Sequence, residues 1–215
     1  MGYPSRRAEQ RFWSEGLLSV VGVDEVGCGA LAGPVYAAAV VFEPHVTLRG
    51  LKESKQLTKA AREVFAQLIQ KKAKSWSIGS ASSEEIDCLG IRAATCLAMQ
   101  RCMNRVEYTA VCVDGWPIPH VTCPQEARFR GDNSMRVVAA ASVIAKVARD
   151  AYMTEVSEAF PSYGFAAHKG YGTAHHQAMI ERYGLSVLHR KTFCKKWLNT
   201  ANKSHFLLDF SPEKS

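Results

Sequence analysis

The stretch VVGVDEVGCGALAGP, residues 20–34, narrows the choice of fold more than any other part of the chain. Val20, Val21 and Val23 are the apolar residues a buried strand requires, and Asp24 and Glu25 follow side by side where the strand would end. Gly22, Gly27, Gly29 and Gly33 leave the backbone around the pair almost bare. Two readings are open. The segment is a surface turn, or it is a cation site beside a loop that lets something large press against the backbone. A phosphate cradle is a weaker reading of GCGALAG. Its lysine followed by Ser or Thr is absent, and the preceding acids repel phosphate unless a metal intervenes.

Periodicity places the remaining elements. Residues 18–24 read as the first strand and Tyr36–Phe42, between Pro34 and Pro44, as the second. Thr58 caps a helix over 59–74, whose Ala61, Val64, Phe65, Leu68 and Ile69 follow the 3.6-residue period. SWSIGSAS (75–82) reads as a third strand, and Ser82 with Glu85 forms a capping box for one helix over 83–104. Residues 108–115 form another apolar run ending at Asp114, after which Pro117, Pro119 and Pro124 interrupt regular structure. Residues 126–132 read as a short strand ending at Asp132. A long Ala-rich helix spans 137–160, a loop spans 161–173, and a helix runs from Thr173 to Tyr183 with Gly184 closing it. Residues 1–17 read as a polar, partly ordered extension. The order β-β-α-β-α-β-β-α-α predicts a mixed α/β sheet with the first helix on one face and the later helices on the other. The expected division is an extension (1–17), a core (18–160) and a C-terminal helical region (161–215).

Composition limits the partners. The 215 residues carry a net charge of +7, which favours a polyanion, and nucleic acid is the commonest one. The seven cysteines are odd in number and include no CxxC pair, so they read as reduced thiols of a cytoplasmic protein. The charged first sixteen residues have no apolar signal core, and no run reaches the ~18 apolar residues of a membrane span.

Three apolar runs end in acid, at Asp24–Glu25, Asp114 and Asp132. Asp114, before Gly115, and Asp132, after Gly131, are each alone equally well turn residues, whereas Asp24 and Glu25 directly after VVGV serve no capping need. Together, at neighbouring strand ends, they would meet at one sheet edge, where open α/β sheets bind ligands. Four carboxylates so placed repel one another unless hard divalent cations join them, and two such ions suit phosphodiester hydrolysis. Elsewhere, Tyr171 stands between two glycines in HKGYGTAHH, free to stack on a sugar or base or to fold back on the core. His168, His175 and His176 lack zinc-site spacing and read as loop and cap residues. Ser54 and Lys55 precede a helix N-terminus, a place that binds phosphate or serves only as a cap. Lys146, Arg149, Lys169, Arg190, Lys191, Lys195 and Lys196 line a phosphate track or form solvated surface.

The order and spacing of VVGVDEVGCGALAGPV, LKESKQLT, EIDCLGI, AVCVDG, RGD followed by AAASVIAKVARD, and YGFAAHKGYGT resemble ribonuclease HII from about residue 18 to 198. The resemblance implies a ribonuclease H-like fold: a five-stranded mixed sheet flanked by helices, with a C-terminal helical extension. It implies hydrolysis of the RNA strand of RNA–DNA hybrids and cutting 5′ of single ribonucleotides in duplex DNA, leaving 3′-hydroxyl and 5′-phosphate ends. Primer removal and ribonucleotide excision repair are the implied roles. The metal-binding catalytic acids would be Asp24, Glu25, Asp114 and Asp132, holding Mg²⁺ or Mn²⁺ at a two-metal site. Gly27, Cys28 and Gly29 occupy the family's glycine-arginine-glycine loop, with Cys28 where the family usually has Arg, and Tyr171 its 2′-hydroxyl-sensing position. The related type III enzyme has a long extra N-terminal domain and normally lacks this tyrosine. A monomer is the expected state. FLLDF (206–210) is either a docking peptide for a sliding clamp or a terminal packing segment.

Overall fold

The computed structural model describes residues 3–198. Helix α1 (Arg7–Ser14) precedes strands β1 (Val20–Val26) and β2 (Val35–Val41). Helix α2 (Lys59–Lys72), strand β3 (Ser75–Ala81), helices α3 (Ser83–Leu89) and α4 (Ile91–Met103) and strands β4 (Ala110–Asp114) and β5 (Gln125–Arg128) follow. The chain continues through α5 (Gly131–Ser134), α6 (Arg136–Ala159), α7 (Phe165–His168), α8 (Ala174–Tyr183) and α9 (Lys195–Leu198). The strands form one sheet in the order β3-β2-β1-β4-β5, antiparallel from β3 to β1 and parallel from β1 to β5. This is the expected five-stranded mixed sheet.

Both sheet faces are covered, so the central strands are apolar on both sides. Val20, Val40 and Cys112 pack with α1, α2 and the first half of α6. Val21, Val23, Val111 and Val113 pack with α3 and α4. The long helix therefore shares the face of α2 instead of taking the opposite one. The parallel step from β1 to β4 assigns one face to α3 and α4, and α6 returns across the other.

Its approach depends on Gly22. A Cβ there would lie 2.3 Å from both the carbonyl carbon and the oxygen of Val137, near the start of α6. The Ala-rich stretch Ala139–Ala141 continues that close contact, every residue of it fully buried.

Four expected elements differ. Residues 7–14 are helical, because Phe12 is buried and Glu9 is paired with Arg136 at 2.5 Å inside the core. The helix expected over 83–104 breaks in two at Gly90, whose φ of 78° continues neither half. The strand expected over 126–132 stops at Arg128. Arg130 turns left-handed (φ 60°), and Asp132 lies on the four-residue α5. The loop over 161–173 also contains α7. No helix among the described residues is long and apolar enough to cross a membrane, and all seven cysteines are unpaired.

Gly22→Ala is expected to destabilise the protein by about 3 kcal/mol, because the obstacle is backbone and cannot swing aside. Urea denaturation measures the change. A loss below ~1 kcal/mol would mean that α6 slides freely over β1.

Candidate active site

The parallel register pairs Val23 with Val113, so Asp24 and Asp114 come level at the same sheet edge. Strand alternation turns Asp24 toward α6 and Glu25 toward α4, so the adjacent acids straddle the sheet. Asp24 is buried and accepts a hydrogen bond from the Ser142 hydroxyl on α6, as well as one from the Glu25 N–H at 2.9 Å. Glu25 accepts from the Cys28 thiol at 3.8 Å, and the same sulfur lies 3.5 Å from Thr95 Oγ1 on α4. Asp114 Oδ1 accepts from Gly131 N–H at 2.7 Å. That bond draws the turn before Asp132 toward the end of β4, so α5 supplies the fourth acid where a strand end was expected.

The four acids act on one another electrostatically. Burial pushes the Asp24 carboxyl well above its usual range, and Glu25, Asp114 and Asp132 add to the shift. Glu25 is raised by burial and then by Asp114 and Asp132. Asp132 is pushed up to about 6 by burial, Glu53 and Asp114, against the pull of Lys55. None of the four acids is in an ion pair among the described residues. They are hard oxygen donors of the kind that Mg²⁺ or Mn²⁺ requires. As they stand, no three His, Cys, Asp or Glu side chains among the described residues are grouped closely enough to hold a metal ion.

The glycine loop beside the acids is anchored from behind. Arg149 and Arg190 are both fully buried, and neither is in an ion pair among the described residues. Arg149 donates to the carbonyls of Pro34 (2.9 Å), Lys169 (3.0 Å) and Ala32 (3.2 Å). Arg190 donates to those of Gly33 and Cys28, each at 2.9 Å. Burial lowers both, Arg190 to about 10. A Cβ on Gly27, whose φ is 95°, would strike Arg149 Nε at 2.2 Å. A Cβ on Gly29 would meet nothing within 4 Å, and Gly29 is exposed. Gly27 is glycine for the protein's sake, whereas Gly29 leaves space outside the protein.

Tyr171 belongs to the same unit. Gly170 O accepts from Leu31 and Ala32 of the glycine loop, and Arg149 lies 5.3 Å from the half-buried Tyr171 ring. The carbonyl of Tyr171 faces His176 Nδ1 at 2.9 Å, so that nitrogen carries the proton. His176 Nε2 must then accept from His189 Nε2 at 3.1 Å, and His189 Nδ1 accepts from Ser186 N–H at 2.9 Å. Burial holds His176 at about 4 and His189 at about 3, which keeps the relay neutral.

The basic candidates divide. Lys55 is exposed, 3.7 Å from Glu53, and close enough to Asp132 to lower its proton affinity. Ser54 is buried. Its hydroxyl lies 2.9 Å from Ser142 Oγ, whose proton serves Asp24, so Ser54 is the donor and backs the carboxylate rather than meeting phosphate. Lys146 pairs with Asp150 at 2.8 Å, and Lys169 donates to Thr154 at 2.5 Å. Arg190 is a loop anchor instead of part of a phosphate track. Sequence reasoning missed Ser142 and the loop-anchoring role of Arg149. Both lie on the inner stripe of α6 with Ala145 and Met153, and an arginine in that stripe was the available signal.

The ribonuclease HII family model matches residues 21–200. The chain belongs to the ribonuclease HII family. It is 46% identical over 176 residues to the ribonuclease HII of Nitrosococcus oceani, covering 81% of this chain and 88% of that one. The ribonuclease HII of Archaeoglobus fulgidus, solved as a complex with PCNA, matches with a TM-score of 0.70 at 25% identity, over 80% of this chain and 94% of that one. Pyrococcus horikoshii ribonuclease H2 matches in fold with a TM-score of 0.69 at 24% identity, over 86% and 100%. The sheet and its helices are thus a ribonuclease H-like fold, and membership makes the chain an endoribonuclease.

The raised Asp132 has a stability consequence. In the folded protein it binds its proton more tightly than an ordinary carboxyl at 3.8, so the stability it supplies is lost as pH rises from about 4 through about 6. In EDTA, Asp132→Asn is expected to match the parent's melting temperature near pH 4 and to exceed it by roughly 2–4 °C at pH 7.5. Thermal scans across that range check this. A gap independent of pH would assign the effect to packing.

Proposed function

We propose that this endoribonuclease hydrolyses the RNA strand of RNA–DNA hybrids and cuts duplex DNA on the 5′ side of an embedded ribonucleotide, leaving 3′-hydroxyl and 5′-phosphate ends. The observation that carries the reading is the uncompensated set Asp24, Glu25, Asp114 and Asp132 beside a loop whose outer face is open at Gly29. These four carboxylates would hold Mg²⁺ or Mn²⁺ in a two-metal site. Bound there, the ions supply water activation and stabilisation of the leaving oxygen. Ser142, backed by Ser54, fixes one edge of Asp24, and the Gly131 amide fixes Asp114, so the donors are oriented before substrate arrives. Arg149 and Arg190 hold the Gly27–Gly29 backbone against the ribonucleotide, and Tyr171 meets its 2′-hydroxyl from the other side. Lys55, Lys146 and Lys169 contact phosphates without reading sequence.

Primer removal and ribonucleotide excision repair, in the cytoplasm, are the roles this activity would serve. The Archaeoglobus fulgidus relative was solved with PCNA. A sliding clamp is the corresponding partner here, and FLLDF, which lies outside the described residues, is its candidate docking segment.

Cleavage of a duplex carrying one ribonucleotide, with Mn²⁺, Mg²⁺ or EDTA and beside an all-DNA duplex, tests the reading. Cutting is expected only with metal and only at the ribonucleotide. Cutting of both duplexes would leave a metal nuclease without a sugar sensor, and cutting of neither by folded, metal-loaded protein would reject the assignment. Asp24→Asn is expected to lower turnover by more than ~10³-fold while hybrid affinity stays within a few-fold. Equal loss of both would count against a catalytic role.

Gly27 and Gly29 separate support from contact. Gly29→Ala should melt like the parent yet lose at least tenfold in kcat/KM on the single-ribonucleotide duplex, whereas Gly27→Ala should be destabilised. Unchanged cleavage by Gly29→Ala would show that the ribose does not approach that backbone.

A further inference from the structure

A large exposed aromatic pair stands beside the carboxylates and has no part in the site described above. Trp116 is 66% exposed and Phe129 is 69% exposed, and their rings meet edge to face at 5.2 Å. Soluble proteins seldom leave two such rings together in solvent unless they bind something. Trp116 follows Asp114 by two residues and Phe129 precedes Asp132 by three. At ~3.5 Å per residue the pair lies within about 10 Å of the acids. Arg92 lies 6.0 Å from the Trp116 ring, at the start of α4 and one turn before Thr95, which contacts Cys28. Arg130, next to Phe129, is exposed and left-handed, a conformation that non-glycine residues seldom adopt and that gathers at functional sites. Arg92 and Arg130 are in no ion pair among the described residues, while Arg128 is committed to Glu126.

Charge decides the class of partner. Two uncommitted guanidiniums flank the rings, and the groups next to them along the chain are those proposed to act on a phosphodiester. A nucleic-acid strand fits both. Aromatic rings stack on bases whatever their sequence, but only where a base face is open. A base inside a continuous duplex offers none.

Resting on the proposed ribonuclease activity, we propose that Trp116 and Phe129, with Arg92 and Arg130, bind an open-faced nucleotide of the substrate. A strand end, nick or unpaired base would supply one, within about three duplex steps of the scissile phosphate at ~3.4 Å per step. The chain would then favour ribonucleotides near discontinuities over those in unbroken duplex.

Two labelled substrates competing in one tube test this. One is a continuous duplex with a single ribonucleotide, and the other is identical except for a nick or an unpaired base up to three steps away, placed in turn on either side. The readout is the ratio of their kcat/KM values. The parent protein is expected to favour an open substrate at least fivefold on one side. Trp116→Ala with Phe129→Ala should bring the ratio to about one, and Trp116→Phe should keep it. A parent ratio near one, or a preference that survives the double substitution, overturns the proposal. Both rings are exposed, so the double variant is expected to fold, and its melting temperature checks this. If it melts below the assay temperature, Arg92→Ala with Arg130→Ala takes its place and must likewise bring the ratio to about one. Failure of the parent to cut either substrate would instead reject the ribonuclease reading itself.

Discussion

Two guanidinium groups, those of Arg149 and Arg190, are buried with no acid paired to them among the described residues, and the arrangement of the site rests on how they are held. An unpaired buried charge costs several kcal/mol unless polar groups replace its lost water. Five backbone carbonyls do so here, at Cys28, Ala32, Gly33, Pro34 and Lys169, while Nη2 of Arg190 is buried without a hydrogen-bond partner among the described residues. Four of the five belong to the glycine loop, which has too few side chains to pack itself. Each feature makes the other possible. The loop gets its order from the arginines, and the arginines get their acceptors from a loop bare enough to turn its carbonyls inward. Moving the loop would strand two charges, so its position relative to the carboxylates is fixed. Gly170 and the His176–His189 relay extend the same unit to Tyr171.

Much of this is legible in the sequence, for reasons that also explain what is not. Strands and amphipathic helices carry their own period, so β1, β2, β3, α2 and α8 are found within a residue or two. The Ser82–Glu85 capping box marks a helix start that the structure reproduces. Asp24, Glu25 and Asp114 can be placed because a strand run shows where it ends. Asp132 falls in the right group on the wrong element, since the bond that brings it in runs from Gly131 to Asp114 and has no local signature. Ser54 reads as a phosphate contact or cap, and Arg190 as a phosphate-track or surface group, because sequence shows residue type and not burial. Gly90 resembles any glycine that a helix tolerates, and the positive φ that separates α3 from α4 there has no signature in the periodicity.

The same limit applies to α1. Arg7–Ser14 is polar enough to read as an extension, with Glu9 at its centre. Glu9 is ordered by Arg136, 127 residues away, and by the Phe42 ring beneath that guanidinium at 5.0 Å. A buried ion pair of this kind is weak evidence for net stability, but losing one partner leaves a buried charge, typically at a cost of about 3–5 kcal/mol. It therefore fixes where α1 docks more than how tightly.

The sign of charge across the site explains how a basic protein can carry an acidic edge. With a net charge of +7 the surface attracts a polyanion, yet the four carboxylates repel both one another and any phosphate brought near. On the proposed function, binding and chemistry must then be carried by different groups. Cations neutralise the edge, and the strand is held beside it. The glycine loop sits between them and presents neutral backbone at its front. Cys28 adds no charge there, because burial and Glu25 push its thiol up to about 11. The guanidiniums of Arg149 and Arg190 reach the loop from behind, through its carbonyls. On that function the loop would discriminate by shape and hydrogen bonding instead of by charge, and the salt dependence of substrate binding would fall to the lysines around it.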